Sequence, residues 1–174
     1  TNTAGSGGVS GSWDGFIDDF EDGDTQPYRG DWWYAVGDDG RDPSLAIETT
    51  VGPTNASTLA LHASGGGYAA WAMVSVDLFE GDVDASPFSE FRFWARAAAD
   101  STRELSLQTP DATGKFARTV ELTTTWQEHV IPFREFSPTA GAPRVLDVSS
   151  LSHMQFFVLS SERFDFWLDD VAFR

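Results

Sequence analysis

The C-terminal segment Phe164–Phe173 constrains the fold of this chain more than any other stretch, because it is aromatic-rich and almost continuously apolar. Aromatic residues in this density are typical of a β-strand. Alternation places three apolar side chains on each face: Phe164, Phe166 and Leu168 on one, and Trp167, Val171 and Phe173 on the other. A strand that is apolar on both faces is typical of the centre of a sheet. We therefore expect a sheet built around the C-terminal strand.

Two adjacent aspartates, Asp169 and Asp170, interrupt this strand, and alternation turns one of them inward. An inward carboxylate needs a partner, because an unpaired buried charge is costly. The segment Phe16–Asp24 repeats the pattern of apolar residues around an Asp pair and contains no Lys or Arg. If the first and last strands are neighbours, several carboxylates converge and repel each other unless a cation lies among them. This pattern predicts a structural calcium site that joins the two ends; the alternative is a solvated acidic rim.

The composition excludes several kinds of partner. Eleven basic and 27 acidic residues give a formal net charge of −16. A surface this acidic does not favour nucleic acid or an anionic membrane, because it has few cations to replace phosphate counterions. The absence of cysteine excludes disulfides, zinc thiolate sites and a cysteine nucleophile. No apolar run approaches the length that spans a membrane.

The chain divides into short alternating segments separated by Gly, Pro and Asp turns, without a helical period over any long stretch. Two hairpins are predicted, one turning at residues 110–114 and one joining Met154–Leu159 to Phe164–Phe173. The predicted fold is all-β, a β-sandwich of the jelly-roll type with two antiparallel sheets. Residues 1–12, which are mostly Gly, Ser and Thr, are predicted to be a flexible linker or a tag remnant, and residues 13–174 a single binding module.

No catalytic motif is present. The sequence has neither a Gly-x-Ser-x-Gly elbow nor a His-Glu-x-x-His pair. The histidines His62, His129 and His153 are scattered, which favours structural roles. The acidic residues concentrate at strand ends and turns, so the paired carboxylates of a glycoside hydrolase are not indicated. We expect no catalytic residue in this chain.

The seven tryptophans indicate a binding role, because packing alone rarely requires so many in this length. A sugar ring stacks its apolar face on an aromatic ring and hydrogen-bonds planar polar groups through its hydroxyls. Phe91 and Phe93 occupy the core face of strand Glu90–Ala97, which leaves Trp94 and Arg96 facing outward. The predicted carbohydrate-binding face has Trp94, Arg96 and Trp71 at its centre, flanked by Gln108, Trp33 and Tyr34. The alternative for each tryptophan is packing in the core or at an edge, and for Trp94 burial by a neighbouring loop.

Four motifs occur along the chain in a familiar order: Ile17–Gly23, Phe91–Arg96, Trp126–Phe133 and Phe166–Val171. Together they resemble bacterial carbohydrate-binding modules of the calcium-containing β-jelly-roll type, which are family 11-like and related to the complex I intermediate-associated protein domain. The resemblance implies a two-sheet jelly roll whose concave sheet face binds a β-glucan or a related plant polysaccharide. It also implies a structural calcium, with Asp18, Glu21 and Asp169 as the matching ligand positions.

The resemblance further implies a non-catalytic module of a secreted glycoside hydrolase. The expected partner is a polysaccharide or oligosaccharide, with neither nucleic acid nor membrane involved. We expect an extracellular location and a monomeric module within a multidomain enzyme. Two other classes remain open: a small β-sandwich glycanase or lyase, and a protein-interaction domain.

Overall fold

A computed structural model describes residues 13–28, 30–54, 56–78, 82–141, 144–159 and 161–174, and the predicted linker at residues 1–12 lies outside the described residues. The strands are β1 (Phe16–Asp18), β2 (Trp33–Gly37), β3 (Ser44–Thr49), β4 (Leu59–Gly65), β5 (Ala72–Asp77), β6 (Glu90–Ala97), β7 (Glu104–Asp111), β8 (Gly114–Glu121), β9 (Gln127–Pro132), β10 (Ser137–Pro138), β11 (His153–Val158) and β12 (Phe164–Phe173). Two short 3₁₀ helices cover Phe133–Glu135 and Val148–Ser150. None of the described helices is long and apolar enough to cross a membrane.

The strands form two sheets. Within each sheet, every pair of neighbouring strands is antiparallel. Sheet I has the order β3-β4-β12-β6-β9, with β1 also pairing with β12. Sheet II has the order β10-β8-β7-β11-β5-β2. This confirms the predicted β-sandwich of the jelly-roll type. It also confirms that β12 is central and that the first and last strands are neighbours.

The core lies between the sheets and is built from one face of each strand. In β6, Phe91 and Phe93 are fully buried, while the residues between them are partly exposed. Phe156 of β11 crosses from sheet II to pack on both rings, with centroid distances of 6.1 Å to Phe91 and 5.2 Å to Phe93. Burial of each such side chain stabilises the fold by about 1.5–3 kcal/mol, so these aromatic contacts hold the sheets together.

The predicted closing hairpin is wrong, because β11 and β12 lie in different sheets. Strand β11 pairs with β5 and β7, whereas β12 pairs with β4, β6 and β1. The chain crosses the sandwich between them, and each strand turns its apolar face to the same core. The predicted hairpin between β7 and β8 is confirmed by its register from Glu104↔Glu121 to Asp111↔Gly114.

A β-bulge changes the face assignment within β12. Phe166 and Leu168 belong to the core, but so do Val171 and Phe173, which alternation had placed on the opposite face. The pairing with β6 shifts between Asp169 and Ala172, which inserts one extra residue into β12. Asp170, within this bulge, has a φ of 48°. Because the bulge resets the alternation, most of the apolar residues of β12 face one core.

Candidate functional site

Of the six residues predicted to form one carbohydrate-binding face, five are divided between two faces, and the sixth, Trp33, lies in the core. Trp94 and Arg96 lie on the solvent side of β6 in sheet I. Tyr34 and Gln108 lie on the solvent side of sheet II, and Trp71 directly precedes β5 of that sheet. The two sheets turn these sides away from each other, so the prediction of a single face is wrong.

Trp33 corrects the prediction further, because its side chain belongs to the core and is only 3% exposed. Its ring packs on Phe20 and Phe156, with centroids 5.5 and 6.1 Å away. Its indole N–H donates a 2.8 Å hydrogen bond to Asp18 Oδ2. Trp33 therefore has no surface to offer a sugar. Trp32 precedes it and is 52% exposed.

Arg96 is held in a stack of rings that crosses sheet I. Its guanidinium carbon lies 3.8 Å from the ring centroid of Trp167 and 5.3 Å from that of Trp126. His62 stacks on Trp167 with centroids 4.4 Å apart. Trp126 also donates its indole N–H to Val51 O at 2.7 Å, as expected for a packing anchor. These contacts occupy the aromatic faces, so this part of sheet I presents no free stacking platform.

The solvent side of sheet II is recessed. Ser75 is fully buried, and Ser106, Gln155 and Phe157 are 7%, 8% and 8% exposed. These side chains alternate with core residues such as Phe156, so they point away from the core. Side chains on the open face of a flat sheet are normally exposed, so the low exposure shows that larger neighbours rise around these residues at the three central strands, and we call this side of sheet II the recessed face.

A continuous row of small and polar residues crosses this recessed face. The strand registers place Tyr34 beside Ser75, Ser75 beside Gln155, and Gln155 beside Gln108. Ala117 and Ser137 extend the row to the far edge. Neighbouring strands are about 4.8 Å apart, so the row spans roughly 24 Å. Such a row matches an extended ligand that runs across the strands.

Hydrogen bonds fix the orientation of polar groups at one end of the recessed face. The Tyr34 hydroxyl donates to Asp77 Oδ1 at 3.0 Å, and His153 Nε2 lies 3.2 Å from the same oxygen. Ser152 Oγ lies 2.6 Å from His153 Nδ1. Burial raises the pKa of Tyr34, and the Asp77 charge adds to that effect, so the phenol stays a hydrogen-bond donor at neutral pH.

Trp71 forms a wall at the other end of the recessed face. Its ring packs on Phe157 with centroids 5.5 Å apart. The Asp38 carboxylate accepts hydrogen bonds from the backbone N–H groups of Ala69, Ala70 and Trp71, at 3.0, 2.5 and 3.1 Å. Because three N–H groups are held by one side chain, the indole is presented in a fixed position.

Sequence reasoning missed several residues of this face, namely Ser75, Gln155, Phe157 and Trp32. Gln155 carries a readable signal, since it is a polar residue between Met154 and Phe156 in an otherwise apolar strand. Phe157 has no such signal, because an apolar residue in an apolar strand is predicted to belong to the core. Trp33 was predicted because it lies beside a loop, and that position does not show that its side chain turns into the core.

A second feature is an acidic cavity of about 80 Å³ where the chain ends meet. It is lined by Asp19, Glu21, Thr54, Ala56, Ser57, Asp169 and Asp170. Asp169 is fully buried and accepts a short hydrogen bond from Ser57 Oγ. Within the described residues, no group of three or more acidic or histidine side chains has the spacing of a metal site.

Asp18 does not belong to the acidic cavity, which corrects its predicted role as a ligand. Both its oxygens are used elsewhere: Oδ1 accepts from the Phe20 N–H and Oδ2 from the Trp33 indole, each at 2.8 Å. Glu21 does line the cavity, although both its oxygens also accept hydrogen bonds: Oε1 from the Thr58 and Leu59 N–H groups at 2.7 and 2.9 Å, and Oε2 from the Thr58 hydroxyl at 2.8 Å. The neighbours Asp19 and Asp170 complete the acidic lining.

Burial controls the charge of these carboxylates. It raises the pKa of Asp169 to about 7, against the Ser57 hydrogen bond, and the charges of Asp170 and Glu21 add to the rise. Burial also raises the pKa of Asp170, with further contributions from the charges of Asp19 and Glu21. The described residues that line the cavity include no Lys or Arg. The carboxyl groups are therefore short of positive charge.

Asp18 gives a testable pH dependence in calcium-free protein. Burial raises its pKa to about 7 although Phe20 and Trp33 donate hydrogen bonds to it. The unfolded chain ionises this group near pH 3.9. Between about pH 4 and 7 the folded state keeps a proton that the unfolded state has lost, so this contribution to stability falls as pH rises. We expect Asp18→Asn to gain stability relative to wild type over that range, by up to about 4 kcal/mol.

Melting temperatures in chelator at several pH values test this. The Asn side chain loses one hydrogen bond at every pH, which gives a constant offset, so only the change of the difference with pH counts. Burial also lowers the pKa of His129. Because both proteins contain His129, its contribution cancels in the difference between their melting temperatures. A difference that stays constant from pH 4 to 8 would contradict a protonated Asp18.

The β-sandwich and its recessed polar face define a class, the β-jelly-roll binding modules. Residues 19–174 match the family described as Carbohydrate binding domain 30, and the chain belongs to that family. Modules of this class bind carbohydrate and are non-catalytic. A search of curated proteins found no significant match.

Solved structures share this fold at low sequence identity. The family 11 carbohydrate-binding module from Clostridium thermocellum, in complex with a β-1,3-1,4-mixed-linked tetrasaccharide, is 17% identical with a TM-score of 0.68, covering 91% of this chain and 94% of that one. The family 30 module of a cellulosomal cellulase from Clostridium thermocellum is 17% identical with a TM-score of 0.62, covering 82% and 90%. An exo-β-agarase is 15% identical with a TM-score of 0.72, covering 92% of this chain and 24% of that one.

Proposed function

We propose that this module binds a β-linked glucan chain on the recessed face of sheet II. The observation that carries the proposal is the row of Tyr34, Ser75, Gln155 and Gln108 across four neighbouring strands. The Tyr34 hydroxyl and the amides of Gln108 and Gln155 can hydrogen-bond the hydroxyls along a sugar chain, whereas Ser75 is fully buried and contributes only a small side chain to the row. Trp71 and Phe157 supply the apolar surface on which a ring can stack.

The hydrogen bonding of the Gln155 side chain supports the proposal that the recessed face binds the glucan. Its Oε1 atom is buried and accepts no hydrogen bond within the described residues, while its amide N–H lies 3.6 Å from Met73 Sδ. An unsatisfied buried acceptor costs about 1–3 kcal/mol. A rotation of the amide toward the face would let a ligand hydroxyl satisfy that oxygen, so ligand binding can recover this cost.

The partner chemistry follows from the family and from the charge of the chain. A net charge of −16 disfavours acidic polysaccharides, and the recessed face offers neutral amides and hydroxyls. The family 11 module was solved in complex with a β-1,3-1,4-mixed-linked tetrasaccharide, which makes a mixed-linked β-glucan the first ligand that we would test. We place the module outside the cell, as a monomeric unit that directs an attached glycoside hydrolase to its polysaccharide.

A structural calcium in the acidic cavity completes the proposal. The cavity offers carboxylate and hydroxyl oxygens, which are the ligands that calcium prefers. Asp19, Glu21, Asp169 and Asp170 would hold the ion, with Asp18 replaced by Asp19 in this role. The raised pKa of Asp169 fits a site that lacks its positive charge. A bound ion would cross-link the β1 end, the loop around Ser57 and the bulge of β12.

Affinity gel electrophoresis tests the binding function. We expect the protein to be retarded in gels that contain mixed-linked β-glucan, with no release of reducing sugar from that polysaccharide. The panel also includes cellulose derivatives, agarose and mannan, because agarases and a mannohexaose-binding module share the fold.

Each outcome of the gel experiment separates the three classes left open by the sequence. Retardation without product supports a binding module, and product release that depends on one acidic residue supports a glycanase. Unchanged mobility in every gel would contradict glycan binding and favour a protein-interaction domain.

A further inference from the structure

A cavity of about 270 Å³ lies on the solvent side of sheet I, away from the recessed face of sheet II. Its lining includes Trp94, Arg92, Glu128, Asp170 and Arg174. Trp94 is half-buried and forms part of the wall. Its strand partners are Asp169, which is fully buried, and Glu128, which also lines the cavity.

Trp94 has no structural partner within the described residues. Its ring has no stacking or cation–π contact there, and its indole N–H donates no hydrogen bond. By contrast, Trp126 and Trp167 on the same side of the sheet contact the Arg96 guanidinium and donate to Val51 O and Glu48 Oε2. A half-buried indole that opens onto a cavity fits an aromatic platform for a ligand.

The polar groups around Trp94 are held in place and balanced in charge. Arg92 Nε donates to Glu90 Oε1 at 2.6 Å, and its Nη1 lies 3.4 Å from Glu128 Oε1. Arg174 Nη1 donates to Asp14 O at 3.1 Å. The lining therefore carries two guanidinium groups and two carboxylates, Glu128 and Asp170, so the formal charges of the lining residues cancel. This arrangement favours a neutral ligand with several hydroxyls over an anion or a cation.

From the unpartnered indole and its balanced polar surroundings, we infer that this cavity is a second saccharide-binding site that takes one neutral sugar unit. The volume is close to the lower limit of small-molecule pockets, about 300–1,000 Å³, which fits one sugar ring in the cavity, with any further ring of the ligand outside it. Because the cavity and the recessed face belong to opposite sheets, the module would be bivalent and able to contact two glycan chains.

Fluorine NMR of the protein labelled with fluorotryptophan, titrated with cellobiose in the presence of calcium, tests the inference. Trp94→Phe assigns the Trp94 resonance, and the Trp71 resonance reports on the recessed face. We expect a saturable shift of the Trp94 resonance both in wild type and in Gln108→Ala/Gln155→Ala, where the first site is weakened. Glu128→Gln should raise the cellobiose concentration at half-saturation by about threefold to tenfold, because one hydrogen bond is weakened.

The Trp94 and Trp71 resonances test two independent claims. The Trp94 resonance reports on the second saccharide site, and the Trp71 resonance reports on glycan binding at the recessed face. A Trp94 resonance that stays in place, or moves linearly without saturation, overturns the second site even if Trp71 responds. A saturable Trp94 shift without any Trp71 response upholds the second site and counts against the recessed face. A Trp94 shift that disappears in Gln108→Ala/Gln155→Ala also overturns the inference, because it would report binding at the other sheet.

Discussion

Trp71→Ala is expected to weaken binding of the mixed-linked β-glucan tetrasaccharide by about tenfold. Loss of one stacking ring costs about 0.5–1.5 kcal/mol beyond the buried area, and 1.4 kcal/mol corresponds to a factor of ten. The effect should be at the upper end of that range, because Asp38 holds the Trp71 backbone through three hydrogen bonds. A ring already fixed in position loses little entropy on binding. Titration calorimetry on the oligosaccharide measures the change.

Gln108→Ala extends this test to the polar row. Gln108 is half-buried, and its amide donates only a long 3.5 Å hydrogen bond to Ser106 Oγ, so its removal should leave the fold intact. Loss of one hydrogen bond to a neutral ligand costs about 1 kcal/mol, which predicts roughly fivefold weaker binding.

Trp126→Ala is the matched control, since Trp126 is also half-buried but lies beside sheet I. Its removal takes away a contact with Arg96 and a hydrogen bond to Val51 O. It should lower the melting temperature while leaving the affinity within about twofold. Equal affinity losses in Trp126→Ala and Trp71→Ala would contradict the assignment of the recessed face.

The sequence predicted the sandwich because its strands alternate clearly. In β6, each core phenylalanine is followed by a polar or aromatic residue on the other face, and the structure keeps that pattern. The closing hairpin failed for a physical reason. Met154–Leu159 and Phe164–Phe173 are both apolar. A hairpin within one sheet buries two such strands as well as a crossing between two sheets does, so the apolar pattern does not distinguish the two connections.

The binding face was only partly predictable, because alternation gives the side of a strand and not the sheet to which it belongs. Tyr34 and Gln108 lie on the solvent side of sheet II, close to Trp71, whereas Trp94 and Arg96 face the other way in space. Residues such as Ser75 and Gln155 join them only through the pairing of β5 with β11, which connects segments far apart in sequence.

The acidic cavity was likewise only partly predictable from the sequence. The two Asp pairs indicated that carboxylates converge, and the structure brings Asp19 and Glu21 together with Asp169 and Asp170. In the first pair, Asp18 turns into the core, where it accepts a hydrogen bond from the Trp33 indole. Strand alternation alone does not predict this contact. The second pair depends on the bulge of β12, whose extra residue has no sequence signature that alternation can detect.

Calcium removal is expected to lower the melting temperature by roughly 5–10 °C. An ion that binds only the folded state at about 100 times its dissociation constant stabilises it by about 2.7 kcal/mol, and each kcal/mol shifts the melting temperature by about 2–4 °C in a domain of this size. Thermal melts with excess calcium and with chelator measure the difference. Unchanged melting together with no calcium in metal analysis would refute the site.

Asp170→Asn sharpens this test, because it should change stability in opposite directions with and without the ion. Asp170 has a φ of 48°, a left-handed conformation that Asn adopts readily, so the substitution removes charge without straining the bulge. Without calcium, the variant should melt higher than wild type, since burial and the charges of Asp19 and Glu21 oppose ionisation of Asp170. With calcium it should melt lower, because a charged carboxylate ligand is replaced by a neutral amide oxygen that binds the ion more weakly.

Asp24→Asn is the matched control for the calcium experiment. Asp24 belongs to the same acidic segment but is exposed, and it accepts a 2.7 Å hydrogen bond from the Gln26 N–H that an Asn oxygen can also accept. This variant should keep the full calcium-dependent gain. If instead Asp170→Asn and Asp24→Asn respond equally to calcium, the ion acts through the overall negative charge of the surface, and the four carboxylates of the acidic cavity are a solvated rim.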